Sequence, residues 1–204
     1  MAAGADMDGG ERIEAQVMGA VGDIPAADWD GVAVPEAADG GRPRNPFVTH
    51  RFLAALEASG SVGPGTGWQP RPVVLRSGGR IVAAAAAYAK THSQGEYIFD
   101  HGWADAYQRA GGRYYPKLQV AAPFTPATGA RFLTAPGWEN EGRSALYEAL
   151  AGIAQGAGLS SVHVTFCTGD EAAAAPAPWL RRTTQQYHWT NAGYGSFDDF
   201  LTAL

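Results

Sequence analysis

Apolar positions along the chain recur with two periods, and the alternation between them outlines the elements. In residues 47–59, Phe47, Phe52, Leu53 and Leu56 recur near the helical repeat, with Thr49 close to the start and Gly60 just past the end. That spacing predicts an amphipathic helix. Residues 140–157 repeat the pattern with Leu146, Leu150 and Ile153 on one face and Gly156 and Gly158 closing the run. Directly after it, Val162, Val164 and Phe166 alternate with His163 and Thr165, the signature of a half-buried strand over residues 161–167. Residues 72–76 and 80–90, joined by Ser77, Gly78 and Gly79, read as an antiparallel hairpin. Its second arm is rich in alanine, whose small side chain lets a helix or a ligand approach the strand closely.

Shorter patterns fill the remainder. Strands are expected at 13–21, 96–99, 117–122 and 184–190, a helical turn capped by Asp23 at 24–29, and short helices at 104–110 and 196–204. A Gly/Pro/Ala loop runs on through Pro46, and residues 61–67 form a flexible connection. Residues 1–12, small, acidic and Gly-rich, read as a disordered tail, leaving 13–204 as the folded lobe. The strand at 117–122, the helix at 140–157 and the strand at 161–167 form a strand, helix, strand unit. Such units place a ligand site at the strand ends and the helix N-terminus, here residues 123–139. The fold class is therefore α/β (α+β).

Composition narrows the choice of function. A chain of 204 residues with 46% hydrophobic and 17% charged residues is large enough to bury a core, and its 27 glycines and 13 prolines argue against a helical bundle. No apolar run reaches the roughly 20 residues of a membrane span. The N-terminus lacks the basic start and apolar stretch of a signal peptide, and Cys167 is the only cysteine, so a reducing cytoplasmic setting is expected. One cysteine and five scattered histidines predict no metal site. The formal charge of −5 is uneven: residues 1–40 carry nine acids and one arginine, while residues 71–131 carry eight cations and three acids. An anion would be drawn to the middle of the chain. Nucleic acid is not an expected partner, because there is no clustered basic stripe.

Candidate chemistry concentrates between residues 97 and 131. Asp100 stands beside His101 among aromatics, a pair able to orient an imidazole or to form a structural turn. Arg113-Tyr114-Tyr115-Pro116-Lys117 sets two phenols between two cations, suited to a planar or anionic group or to the rim of a core. The loop from Pro123 to Arg131 offers backbone donors to a phosphate, although Pro123 and Pro126 have none to give. His163 and His188 read first as packed side chains, and Cys167 as an inert thiol with no cation near it in sequence.

The strings NPFVTHRFLAALEASGSVGPGTGWQP, KTHSQGEYIFDHGWADAYQRAGGRYYPKLQVAAPFTP and QQYHWTNAGYGSFDDFL resemble the N-terminal half of a bacterial family of GNAT-type N-acyltransferases, the Fem-like proteins associated with peptidoglycan biosynthesis or recognition. The resemblance runs from about Phe47 to Leu204. It implies a GNAT-like lobe with a mixed, mostly antiparallel sheet flanked by helices. It also implies a second lobe in a longer chain, and a second GNAT-like lobe or a homo-oligomer is an expected partner. The activity implied is transfer of an acyl group from a thioester, acetyl-CoA or another acyl-CoA, or from an aminoacyl carrier, to the amine of a small-molecule acceptor; the alternative is a degenerate, non-catalytic binding or docking module. On this resemblance Phe124, Thr125, Thr128, Gly129, Ala130 and Arg131 stand where the donor's pyrophosphate would lie, with Gly129 and Ala130 echoing the end of the usual glycine pattern. Asp100 or His101 would take the proton, Tyr114 or Tyr115 would face the oxyanion or the leaving thiolate, Lys117 and Arg131 would face an anion, and Trp103, Lys117 and His188 would contact the substrate.

Overall fold

The computed structural model describes residues 12–35 and 44–204. The tail expected over residues 1–12 lies outside them apart from Arg12, as does the middle of the loop that leads to Pro46. Two four-stranded sheets form the centre. The first orders β1 (Glu14–Val17), β3 (Val73–Ser77), β4 (Arg80–Ala85) and β7 (Leu133–Thr134) as β1-β3-β4-β7, all antiparallel. The second orders β2 (Trp68–Pro70), β5 (Ala87–Lys90), β6 (Lys117–Val120) and β8 (Val162–Val164) as β2-β5-β6-β8, antiparallel except for the parallel pair β6 and β8. The architecture is mixed α/β and mostly antiparallel, with helices on both faces.

The expected hairpin forms, and its turn shows why. Gly78 and Gly79 both adopt positive φ, 54° and 80°, the conformation that a tight hairpin turn requires. Its long second arm does more than pair with the first: at Ala86 the run passes from one sheet to the other, so β4 pairs with β3 and β5 pairs with β2. The alternation along this arm feeds two cores. Ala84 and Ala86 face Trp29 and Val32 of α1 (Ala26–Ala33) and Leu53 of α2 (His50–Ala58). Ala83, Ala85 and Ala87 face Leu146 and Leu150 of α4 (Glu139–Gly156). Small side chains let both layers come close, and at Gly142 an added Cβ would lie 3.1 Å from Ala83 Cβ.

The strand, helix, strand unit is present as β6, α4 and β8, the two strands adjacent and parallel in register Leu118↔Val162. The helix expected at 47–59 begins as a single 3₁₀ turn at Pro46–Val48 and becomes α2 once Thr49 caps it, its hydroxyl accepting from Phe52 N–H. Two further helices, α3 (His101–Arg109) and α6 (Phe197–Thr202), fall near their expected places, the latter capped by Ser196. A sixth, α5 (Gly169–Ala173), opens with a Thr168/Glu171 capping box.

Three local expectations fail for physical reasons. Residues 96–99 are not a strand: Tyr97 and Phe99 hold φ of 58° and 51°, because their neighbours Glu96 and Asp100 turn inward to a buried lysine. Residues 184–190 form no strand, running exposed over the surface with Gln186 Nε2 bonded to Pro126 O. Asp23 lies in a 3₁₀ turn, Val21–Asp23, and α1 starts after Pro25 with no side-chain cap.

Candidate functional site

The register Lys90↔Lys117 between β5 and β6 sets two ammonium groups side by side on one face of the second sheet. The loop between β5 and α3 folds over them. Lys117 Nζ donates to Asp100 Oδ2 and Glu96 Oε2, both at 2.8 Å, and to Ser93 Oγ at 3.0 Å. Tyr114 OH donates to Asp100 Oδ2 at 2.7 Å, and Tyr115 OH and Ser93 Oγ share a hydrogen bond of the same length. The Tyr114 and Tyr115 rings stand 5.3 and 5.7 Å from Lys117 Nζ. Lys90 Nζ sits 3.6 Å over the Trp68 ring, donates to Gln94 O and lies 4.0 Å from Glu96 Oε1. All four charged side chains are fully shielded from water.

The burial sets the acid–base character. Burial raises Asp100, but hydrogen bonds from Lys117, Ser93 and Tyr114 overcome it and hold the carboxyl at about 2. A carboxylate this weakly basic does not take a proton from an ammonium. Burial and the hydrogen bond to Asp100 push the Tyr114 phenol up, so it stays protonated. Burial draws Lys90 down to about 7 against the pull of Glu96, and raises Glu96 against the pull of Lys117. His163 on β8 meets the Tyr114 ring edge to face at 5.8 Å, and burial followed by the nearby Lys117 charge lowers it to about 4.

Asp100, Tyr114, Tyr115 and Lys117 are thus brought together as the sequence suggests, but as a closed set. Aromatic rings, a hydroxyl and two carboxylates form a cage suited to an ammonium, and it already contains the chain's own Lys117. His101 and Trp103 point away into solvent, as does His188, whose ring pairs with the Gln186 side chain. The members that sequence reasoning leaves out are Lys90, Ser93 and Glu96. A signal exists for the lysine: Lys90 ends one expected strand and Lys117 begins another, so pairing the two strands sets them opposite each other.

The loop from Pro123 to Arg131 is equally self-contained. Arg131 is buried, and its guanidinium donates to four carbonyls, those of Ala127, Gly129, Ala130 and Thr165. Glu171 Oε1 accepts from Arg131 N–H and Phe132 N–H at 2.8 and 2.7 Å, and Gly129 N–H donates to Phe166 O. Phe124, at φ 58°, turns its ring against Trp68, and Thr125 bonds back to Ala122 O. Just beyond, the first turn of α4 carries Glu139 and Glu141, which repel an anion. The groups present do not fit a coenzyme A pyrophosphate: the one cation is engaged, and the helix terminus already faces carboxylates. Thr128 and Ala130 lie on this same loop.

Beside the buried cluster an open groove of about 450 Å³ runs between Phe99, Trp103 and Arg182 over a floor of Gly102 and Ala106. Among the described residues no group of three His, Cys, Asp or Glu side chains converges as metal ligands, and no helix is long and apolar enough to cross a membrane.

Two packed cores around a split sheet, a parallel crossover and a closed charged cluster at its end define a mixed α/β lobe built around its strand ends. The chain belongs to the FemAB-like family of peptidoglycan biosynthesis/recognition, whose model matches residues 20–204. Among solved structures it is similar to a ribosomal-protein-alanine N-acetyltransferase from Brucella melitensis biovar Abortus 2308. The identity is 14% and the TM-score 0.43, with 85% of this chain and 99% of that chain covered. No curated protein matches the chain.

Proposed function

We propose that the chain is one lobe of an N-acyl- or N-aminoacyl-transferring protein of peptidoglycan metabolism, and that it positions a reactant without carrying the proton. Family membership over residues 20–204 supports the setting. The observation that carries the division of labour is the Lys117 cage. The groups that would receive an acceptor's ammonium are closed around an internal one, and Asp100 is held as a weakly basic carboxylate. Positioning alone accounts for a large part of the rate of acyl transfer, so a lobe whose Asp100 is engaged internally still has a role. A second reading, a binding module that serves no transfer, is favoured by the engaged Arg131 and by the acidic first turn of α4.

A thermal-shift titration with acetyl-coenzyme A and, separately, with a soluble muramyl peptide bearing a free amine tests the proposal. A ligand at a hundredfold over its dissociation constant adds about 2.7 kcal/mol, a rise of roughly 5 to 10 °C for a chain of this size. The expected result is a shift with the muramyl peptide and none with acetyl-coenzyme A. Acyl transfer by this chain alone that is lost in Asp100→Asn would overturn the assignment, because it would make the buried carboxylate a working base.

A further inference from the structure

Helix α3 turns its apolar side the wrong way for a globular protein. Trp103, Ala106 and Tyr107 recur at spacings of three and four, so they share one face, while His101, Asp105 and Gln108 share the opposite one, and Phe99, two residues before the helix, lines the same groove as Trp103 and Ala106. Such a helix ordinarily lays its apolar face on the core. Here Ala104 is the only residue of the helix that is buried, and the apolar face is in water, with Phe99 78%, Trp103 66% and Tyr107 53% exposed.

The arrangement is held in place. Asp100, immediately before the helix, is fixed to Lys117 and Tyr114, and the left-handed backbone at Tyr97 and Phe99 throws those two rings outward. Beside the face, Arg182 bonds to Ile98 O and lines the groove next to Phe99 and Trp103, with Arg181 and the 94%-exposed Leu180 preceding it in sequence. Arg109 stands at the margin of the face, while the one carboxylate of the helix, Asp105, is on the far side.

We propose that the apolar face of α3, with Arg182 at its border and Arg181 next to it in sequence, rests on the surface of a bilayer that carries anionic headgroups. Phenylalanine, tryptophan and tyrosine rings with a rim of arginines match the boundary between acyl chains and headgroups, where rings insert by a few ångströms and guanidinium groups meet phosphates. The charge pattern chooses this occupant: Arg182 borders the apolar face and the one carboxylate of the helix, Asp105, is turned away, although the whole chain carries −5. The helix lies on the bilayer and does not span it. The inference does not depend on whether the chain transfers an acyl group.

The test is co-sedimentation of the whole chain with vesicles of phosphatidylcholine containing about a third phosphatidylglycerol, beside vesicles of phosphatidylcholine alone. The expected result is binding to the anionic vesicles that weakens with salt. It should fall about tenfold or more in the double variant Phe99→Ser/Trp103→Ser, and fall to the level of the neutral vesicles in Arg181→Ser/Arg182→Ser. These side chains are exposed, and circular dichroism checks that each variant is folded. Binding that is equal with and without anionic lipid, or unchanged in both variants, overturns the proposal. It is equally overturned if the chain ignores vesicles and instead forms dimers that Phe99→Ser/Trp103→Ser abolishes, since the face is then an interface between copies.

Discussion

Lys117 shows how a residue's partners decide its role. From sequence it is a cation between aromatics and a strand, open to an anion; in the fold it is enclosed by Asp100, Glu96 and Ser93. Replacing it by methionine keeps the volume but leaves two buried carboxylates facing the single ammonium of Lys90, with Asp100 stripped of its ion pair, a loss of about 3–5 kcal/mol in urea denaturation. The double variant Lys117→Met/Asp100→Asn should be more stable than the single one, because the remaining buried pair, Lys90 and Glu96, is balanced in charge. Equal losses in both would show that packing, not charge, governs the site. The same cluster sets an acid limb. His163 falls from 6.5 in the unfolded chain to about 4 in the fold, so the unfolded chain binds the extra proton between those values and stability declines as pH falls from about 6.5 to about 4. Asp100, depressed from 3.8 to about 2, adds stability that is present above about 3.8 and is lost as pH falls toward about 2. His163→Gln should flatten the first limb and leave the second, as read from unfolding free energies measured across that range.

At the scale of elements, the periodic segments, the hairpin and the crossover were legible, and the division of the strands into two sheets was not. The runs at 47–59 and 140–157 carry enough apolar repeats for packing and local preference to agree, and both are helices. The pattern at 96–99 misleads because a strand alternates its side chains, and a loop that pulls in Glu96 and Asp100 alternates them too. Residues 184–190 resemble a strand in composition, but β-structure needs a neighbour, and they run over the surface with none assigned. The two-residue β7 and the three-residue β2 are too short for any period to declare them. Where α4 meets β4, fit can be tested directly. Gly142→Val should destabilise by about 1–3 kcal/mol, since its branches meet Ala83 Cβ and Thr134 Cγ2, which lie 3.1 and 3.2 Å from where even a Cβ would be. Gly142→Ala sets the helix gain of about 1 kcal/mol against that tight contact and should stay close to the wild type. Denaturant midpoints of the two variants check the ordering.

For the molecule as a whole, the sequence conveyed the class and the crossover but not the closure of its own candidate site. Chemistry-bearing residues announce themselves by type, yet whether they serve a ligand or one another depends on register. Asp100 and Lys117 are 17 residues apart along the chain and 2.8 Å apart in the fold. The run 80–90, which passes from one sheet to the other at Ala86, has a consequence of a different kind. One covalent segment supplies an interior strand to each sheet, β4 to the first and β5 to the second, so neither sheet can release that strand without slackening the other. The two halves then share a single cooperative unit, and amide protons in β4 and β5 should exchange only through the same global opening.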